Sequence, residues 1–205
     1  MTPFTTVKGI AAPMPTENID TDVIMPKQFL KRIDRKGLAE GAFHDLRFDA
    51  QKTLRPSFVL NRAPYDKASF LVCGANFGCG SSREYAVWGL VQLGIRAIIA
   101  PSFGGIFFGN CEKNGLLAIM LPQEEVARLI NLAEAPATAE FEIDLLVQSI
   151  RADTSEIHFE IGKARKDALL TGRDHISATL EFAGEIEAFE AAQRDHTAHF
   201  WSRTR

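Results

Sequence analysis

Cysteine is scarce in this chain, with three thiols in 205 residues, Cys73, Cys79 and Cys111. An odd number in apolar or loop settings excludes a disulfide framework and points to free thiols in a reducing compartment. Their spacings match no zinc or iron–sulfur pattern, so no metal is expected on this chain. Charge of one sign is also missing. The formal net charge is −3, which gives no basic footprint for nucleic acid. No apolar run reaches the roughly 18 residues of a membrane span. Residues 1–8 have neither the charged start nor the apolar stretch of a secretory leader, and the expected location is the cytoplasm. Internal repeats and low-complexity tracts are lacking as well.

What is present is an ordinary globular composition, 46% apolar and 24% charged. The length predicts one domain over 1–205, with a C-terminal helical extension from about 163 to 205. A chain of this size buries a core without a disulfide or a metal.

An opening strand is expected over 4–12. The segment 42–67 reads as loop with one short extended piece, Phe58-Val59-Leu60. The apolar runs 68–73, 95–100 and 116–121 read as buried strands. Helices at about 82–93, 103–111 and 122–133 follow them in turn, which is the pattern of a parallel α/β core. After Pro136 the pattern changes. Segments 140–145 and 156–161 alternate at period two and predict an antiparallel pair joined around Arg151-Ala152-Asp153. A short helix is expected at 163–170 and a mostly helical stretch at 174–192. There Ile176, Leu180, Ala183, Ile186 and Phe189 form an apolar stripe for the core or a partner. His196 and His199, three apart, have no third ligand near them in sequence.

The most informative stretch is Asn76-Phe77-Gly78-Cys79-Gly80-Ser81-Ser82-Arg83-Glu84. It follows the strand at 68–73 and opens the next helix. Glycines permit tight turns and close approach to a ligand. A helix start offers N–H groups to anions. Two hydroxyls and one guanidinium sit at that point, as in a small carboxylate or phosphate site. The same residues also fit a capping box, Ser81-x-x-Glu84. The stretch is neither the phosphate loop of nucleotide hydrolases nor the dinucleotide fingerprint. Its place at the carboxyl end of a strand favours the site, since ligands of open α/β sheets bind there.

Upstream, Asp20 and Asp22 lie one residue apart in a turn-rich segment. Such a pair makes local turns, orients a basic residue or binds a metal. Lys27, Lys31, Arg32, Arg35 and Lys36 follow within ten positions. They form either a solvated face or a positive lip for an acidic substrate.

Asn76 to Glu84, then Ala100-Pro101-Ser102-Phe103 and Gly115-Leu116-Leu117, resemble the swivelling domain of the aconitase superfamily. The front segment Asp20-Thr21-Asp22-Val23-Ile24-Met25-Pro26-Lys27-Gln28-Phe29-Leu30 and the length narrow the resemblance to the small-subunit family of 3-isopropylmalate dehydratase. It spans roughly residues 5–190. It implies an α/β fold of the swivelling β/β/α type, a mostly parallel core with additional strands and C-terminal helices. It implies a hydro-lyase of leucine biosynthesis, active only with a large subunit that carries a [4Fe–4S] cluster, as a heterodimer or heterotetramer. By the same resemblance Ser81 is the base that takes the carbon-bound proton. Ser82 and Arg83 hold a substrate carboxylate, and Lys31 or Arg32 supplies a further contact.

Two positions depart from the family pattern. Tyr85 stands where the family usually has His, and Arg173 where an apolar residue is common. These keep open a paralogue acting on another 2-hydroxy dicarboxylate, such as a methylmalate. A carboxylate- or phosphate-binding module without chemistry is the other alternative.

Overall fold

The computed structural model describes residues 1–31, 36–80, 82–173, 179–180 and 182–201, with side chains described as far as residue 194. Arg32, Ser81, Ile176 and the side chains of His196 and His199 therefore lie outside the described residues. The chain divides into two compact units, Met1–Gly172 and Arg173–Arg205.

The first unit is built on a seven-stranded sheet of order β4-β3-β2-β1-β5-β6-β7. Its parallel half comprises β1 (Thr6–Met14), β2 (Ala68–Cys73), β3 (Ala97–Ala100) and β4 (Leu117–Met120). Central strand β2 is closed to water on both faces. Its side chains alternate, Leu71 and Cys73 into one core and Phe70 and Val72 into the other. Such two-sided burial is why the parallel strands read as continuous apolar runs.

Helices cover both faces. Helix α3 (Glu84–Leu93) contributes Ala86, Val87 and Leu90 to the first core, and α4 (Gly105–Lys113) contributes Phe107 and Cys111. Helix α5 (Gln123–Glu134) puts Val126, Leu129 and Ala133 into the second, joined by Leu169 of α6 (Lys163–Thr171). Gly94 ends α3 in the left-handed region, φ 104°, with its N–H turned back to the carbonyls of Leu90 and Val91.

The antiparallel half holds β5 (Glu140–Asp144), β6 (Ser149–Ala152) and β7 (Ser155–His158). Two strands joined around Arg151–Asp153 are expected from the sequence, and three are found. The residues expected to turn are mostly β6, and the turns fall at Gln148 and Asp153, whose φ values are 58° and 52°. A four-residue strand is too short to show its alternation. Arg151 on β6 lies opposite Glu142 on one side and Glu156 on the other and pairs with both, at 2.8 and 3.4 Å. Exposed pairs of this kind contribute little to stability. The expected extended piece at Phe58–Leu60 is instead a 3-10 helix, Val59–Asn61.

In the second unit α7 spans Ala183–Trp201. Leu180, Ile186 and Phe189 of the expected stripe are exposed. Among the described residues no helix is long and apolar enough to cross a membrane.

Asp144 ties the two halves of the sheet together at one end. Its Oδ2 accepts the Thr6 hydroxyl at 2.7 Å, and its Oδ1 accepts the N–H groups of Leu146 and Val147 at 2.8 and 3.0 Å. The Thr6 hydroxyl, then the Val147 N–H, hold its carboxyl below the usual range. A depressed carboxyl stabilises the fold above its unfolded pKa of about 4 and loses that effect as pH falls through its folded value. Asp144→Asn is therefore expected to unfold at lower urea than wild type at pH 7, with the gap closing below about pH 4. Urea midpoints across pH measure this, and a gap that is constant with pH contradicts it.

Candidate functional site

The glycine-rich segment leaves β2 at Cys73 and is bonded into place from both sides by backbone hydrogen bonds. On one side Asn18 N–H donates to Ala75 O at 2.9 Å, Gly78 N–H to Ile19 O at 2.7 Å, and Thr21 N–H to Cys79 O at 2.9 Å. On the other, Phe77 N–H donates to Ser102 O at 3.1 Å and Gly104 N–H to Phe77 O at 2.9 Å. Short parallel bridges join Asp20 with Cys79 and Phe77 with Phe103. Side chains add to this. Asn76 donates its backbone N–H to Ser102 Oγ at 2.9 Å and its amide to Asn18 Oδ1 at 2.8 Å.

Two glycines make this closeness possible. Gly78 has φ 72°, and a Cβ there would lie 2.2 Å from the Phe107 ring. A Cβ on Gly104 would lie 2.4 Å from Gly78 O and 2.9 Å from Cys79 Cα. Any side chain at either position would force the segment off its supports.

Helix α3 begins later than a capping box requires. Its N-cap is Arg83, which makes no side-chain cap bond, and Glu84 is the first helical residue. The Glu84 carboxylate is not turned back to a cap. It accepts a hydrogen bond from Asn114 Nδ2 at 2.7 Å. A carboxylate in the first turn also suits the helix dipole. The capping reading of Ser81-x-x-Glu84 is thus corrected at Glu84.

The two acids of the front segment divide two of the roles open to them. Asp20 makes the local turn, its Oδ1 accepting Val23 N–H at 2.8 Å to cap the short helix α1 (Thr21–Ile24). Asp22, on that helix, forms an ion pair with Nη1 of Arg83. The Arg83 side chain is 16% exposed and that of Asp22 is 44% exposed, so the guanidinium is sheltered while its partner faces water. Removing Asp22 would leave the sheltered guanidinium without this partner.

Of the residues expected at the site, Arg83 sits at the start of α3 and Ser82 is exposed just before it. Lys31 is exposed at the end of the 3-10 helix Lys27–Lys31. Ser81 and Arg32 lie outside the described residues. Asp22 pairs with Arg83, the orienting role that the sequence left open beside a local turn and a metal. Tyr85 is partly buried on the first core, its ring 4.8 Å from that of Trp88. Arg173 falls in the second unit.

The described residues do not fit an iron–sulfur cluster. Among the described residues no three His, Cys, Asp or Glu converge. Cys73 and Cys111 are fully buried, and desolvation pushes both thiols up, away from the thiolate form that clusters need.

A sequence profile of the aconitase C-terminal domain matches residues 1–124. The 3-isopropylmalate dehydratase small subunit of Dinoroseobacter shibae is 52% identical over 192 residues, 93% of this chain and 96% of that one. The protein of the same name from Rhodospirillum rubrum is 51% identical over 191 residues, 93% of this chain and 92% of that one. The chain belongs to the 3-isopropylmalate dehydratase small-subunit family. The solved structure of 3-isopropylmalate dehydratase from Methanocaldococcus jannaschii agrees, with a TM-score of 0.65 at 27% identity over 90% of this chain and 99% of that one. The aconitase-type α/β fold expected from the glycine-rich stretch is the fold found.

Within this small-subunit fold, Gly104→Ala is expected to destabilise by about 1–3 kcal/mol, because the added methyl meets backbone rather than a movable side chain. Gly105→Ala is the control. Its Cβ would meet nothing within 4 Å. Alanine at a helical position is neutral to mildly stabilising. Urea unfolding of the two variants measures the difference, and equal midpoints contradict the account.

Proposed function

We propose that this chain is the small subunit of a hydro-lyase that interconverts 2-isopropylmalate and 3-isopropylmalate by dehydration and rehydration in cytoplasmic leucine biosynthesis. The observation that carries the proposal is the largely buried guanidinium of Arg83, held beside a carboxylate where the glycine-rich loop meets a helix N-terminus. Family membership supports the reaction and the need for a large subunit. The C-terminal helical part is taken as an extension of the same single domain.

Substrate enters as a dicarboxylate. Arg83 and Ser82 bind one of its carboxylates, Arg83 by paired N–H donors. Asp22 engages Nη1. A guanidinium has five N–H donors, so the same group can serve a second carboxylate. Ser81 takes the carbon-bound proton, and nearby N–H groups of the loop stabilise its oxyanion. Lys31 or Arg32 provides the contact for the other end of the substrate. A [4Fe–4S] cluster is assigned to the large subunit, where it would supply Lewis-acid chemistry.

The packing of Tyr85 against Trp88 accounts for Tyr85 within the first core, so this departure does not itself favour a methylmalate. Substrate choice is settled by a screen of both dicarboxylates on the complex, prepared without oxygen and followed by absorbance of the unsaturated intermediate. Ser81→Ala in that complex is expected to lower kcat by about 10²–10⁴-fold. Arg83→Lys is expected to raise KM by about tenfold or more, because it loses the planar fork. Nearly full activity in Ser81→Ala rejects the base. Tight calorimetric binding of a dicarboxylate by the chain alone would favour a binding module instead.

A further inference from the structure

We infer that Asn114 is a positioning residue for Arg83, acting through Glu84. The inference rests on the reading of Arg83 as a substrate-carboxylate ligand. Asn114 closes the end of α4, its backbone N–H donating to Cys111 O at 3.1 Å. Its side chain reaches across to α3. Nδ2 donates to Glu84 Oε1 at 2.7 Å and to Asn110 O at 2.8 Å, while Oδ1 accepts the indole N–H of Trp88 at 2.8 Å.

The chemistry of the partners fixes the orientation of this amide. An indole only donates and a carboxylate only accepts, so the oxygen must face Trp88 and the nitrogen Glu84. No isosteric residue meets both demands. Leucine meets neither, and an ionised aspartate would set two carboxylates against each other.

Glu84 and Trp88 lie four apart and so on one face of α3, one turn from each other. Asn114 therefore grips α3 at two points and sets both its tilt and its rotation. The lower grip is on the residue directly after Arg83. The guanidinium of Arg83 is meanwhile held by Asp22. Arg83 is thus fixed at its backbone through Glu84 and Asn114, and at its tip through Asp22. A displacement of about 1 Å in such a group costs on the order of 10²-fold in rate.

A plain interhelical clasp would look similar, and its loss would lower stability without moving KM. The distinguishing test exchanges the polarity of the Glu84–Asn114 bond. In the complex with its large subunit, on whichever 2-hydroxy dicarboxylate the wild type accepts, Asn114→Asp is expected to lower kcat/KM tenfold or more, mostly through KM. Glu84→Gln alone is expected to stay within about threefold of wild type, since its carbonyl still accepts from Asn114. The double variant Glu84→Gln/Asn114→Asp restores the bond between these two side chains with donor and acceptor reversed, though not the bond to Asn110 O, and is expected to recover at least about threefold of the loss.

Hydrogen–deuterium exchange of amides 83–88 in the same complexes gives a readout that needs no turnover. It should accelerate in Asn114→Asp and slow again in the double variant. A wild-type complex that turns over no dicarboxylate rejects the proposed reaction, while the exchange data still decide on the positioning. Asn114→Asp with unchanged KM, no recovery in the double variant, or unchanged exchange at 83–88 overturns the inference.

Discussion

The site depends on the close approach of two backbones, at Gly78 and Gly104. Strand β2 delivers the loop to the carboxyl end of the parallel strands, but a loop with six hydrogen-bonding backbone groups needs partners. It finds them in the segment 18–21 on one side and 102–104 on the other, as a short continuation of sheet pairing beyond the strand ends. That continuation requires the chain to pass where a Cβ cannot fit. The aromatic ring of Phe107, edge-on to Phe77 with centroids 5.5 Å apart, fills the space that Gly78 leaves. Packing under the loop and hydrogen bonding along it are therefore one constraint.

Once the loop is set, the polar residues around it follow. Asp20 caps α1 and so fixes the direction in which Asp22 projects. Asp22 then meets Arg83. At the other end of Arg83, α3 starts with a carboxylate that α4 holds through Asn114. Segments around residues 20 and 114 thus meet at the start of α3, Asp22 on the Arg83 guanidinium and Asn114 on the Glu84 carboxylate. A long flexible side chain carries about 2 kcal/mol of rotamer entropy. On the proposed reading of Arg83 as a carboxylate ligand, holding it beforehand means substrate binding need not bear that cost.

Much of this was legible in the sequence, for identifiable reasons. Strand 68–73 matched residue for residue because a strand buried on both faces is an unbroken apolar run. The helices after β2, β3 and β4 were visible from glycine and proline at their ends. Strand β6 was hidden because Ser149 is buried and Arg151 exposed, so polarity does not follow the burial over four residues. The 3-10 helix at Val59–Asn61 was hidden because three apolar or amide residues carry no period. Arg83 stood out in its motif, but its ion-pair partner did not. Asp22 was half-found, since its spacing suggested a role but its partner lies 61 positions away. Asn114 carried no signal at all, because an asparagine after a helix reads as an ordinary helix end, and its contacts depend on tertiary structure.

The Asp22–Arg83 pair also bears on why one subunit is insufficient. A guanidinium sheltered in this way is costly if left unpaired. Asp22 removes that cost and lets the subunit fold with the cation in place. The same carboxylate partly neutralises the field that a substrate carboxylate would meet. On the proposed reading, attraction of a substrate carboxylate by this chain alone is accordingly modest. On the proposed reading of Arg83 as a carboxylate ligand, stability of this chain and affinity for substrate are in opposition at Arg83. A large subunit that excluded water from this surface would ease that opposition, because a guanidinium–carboxylate contact strengthens as the local dielectric falls.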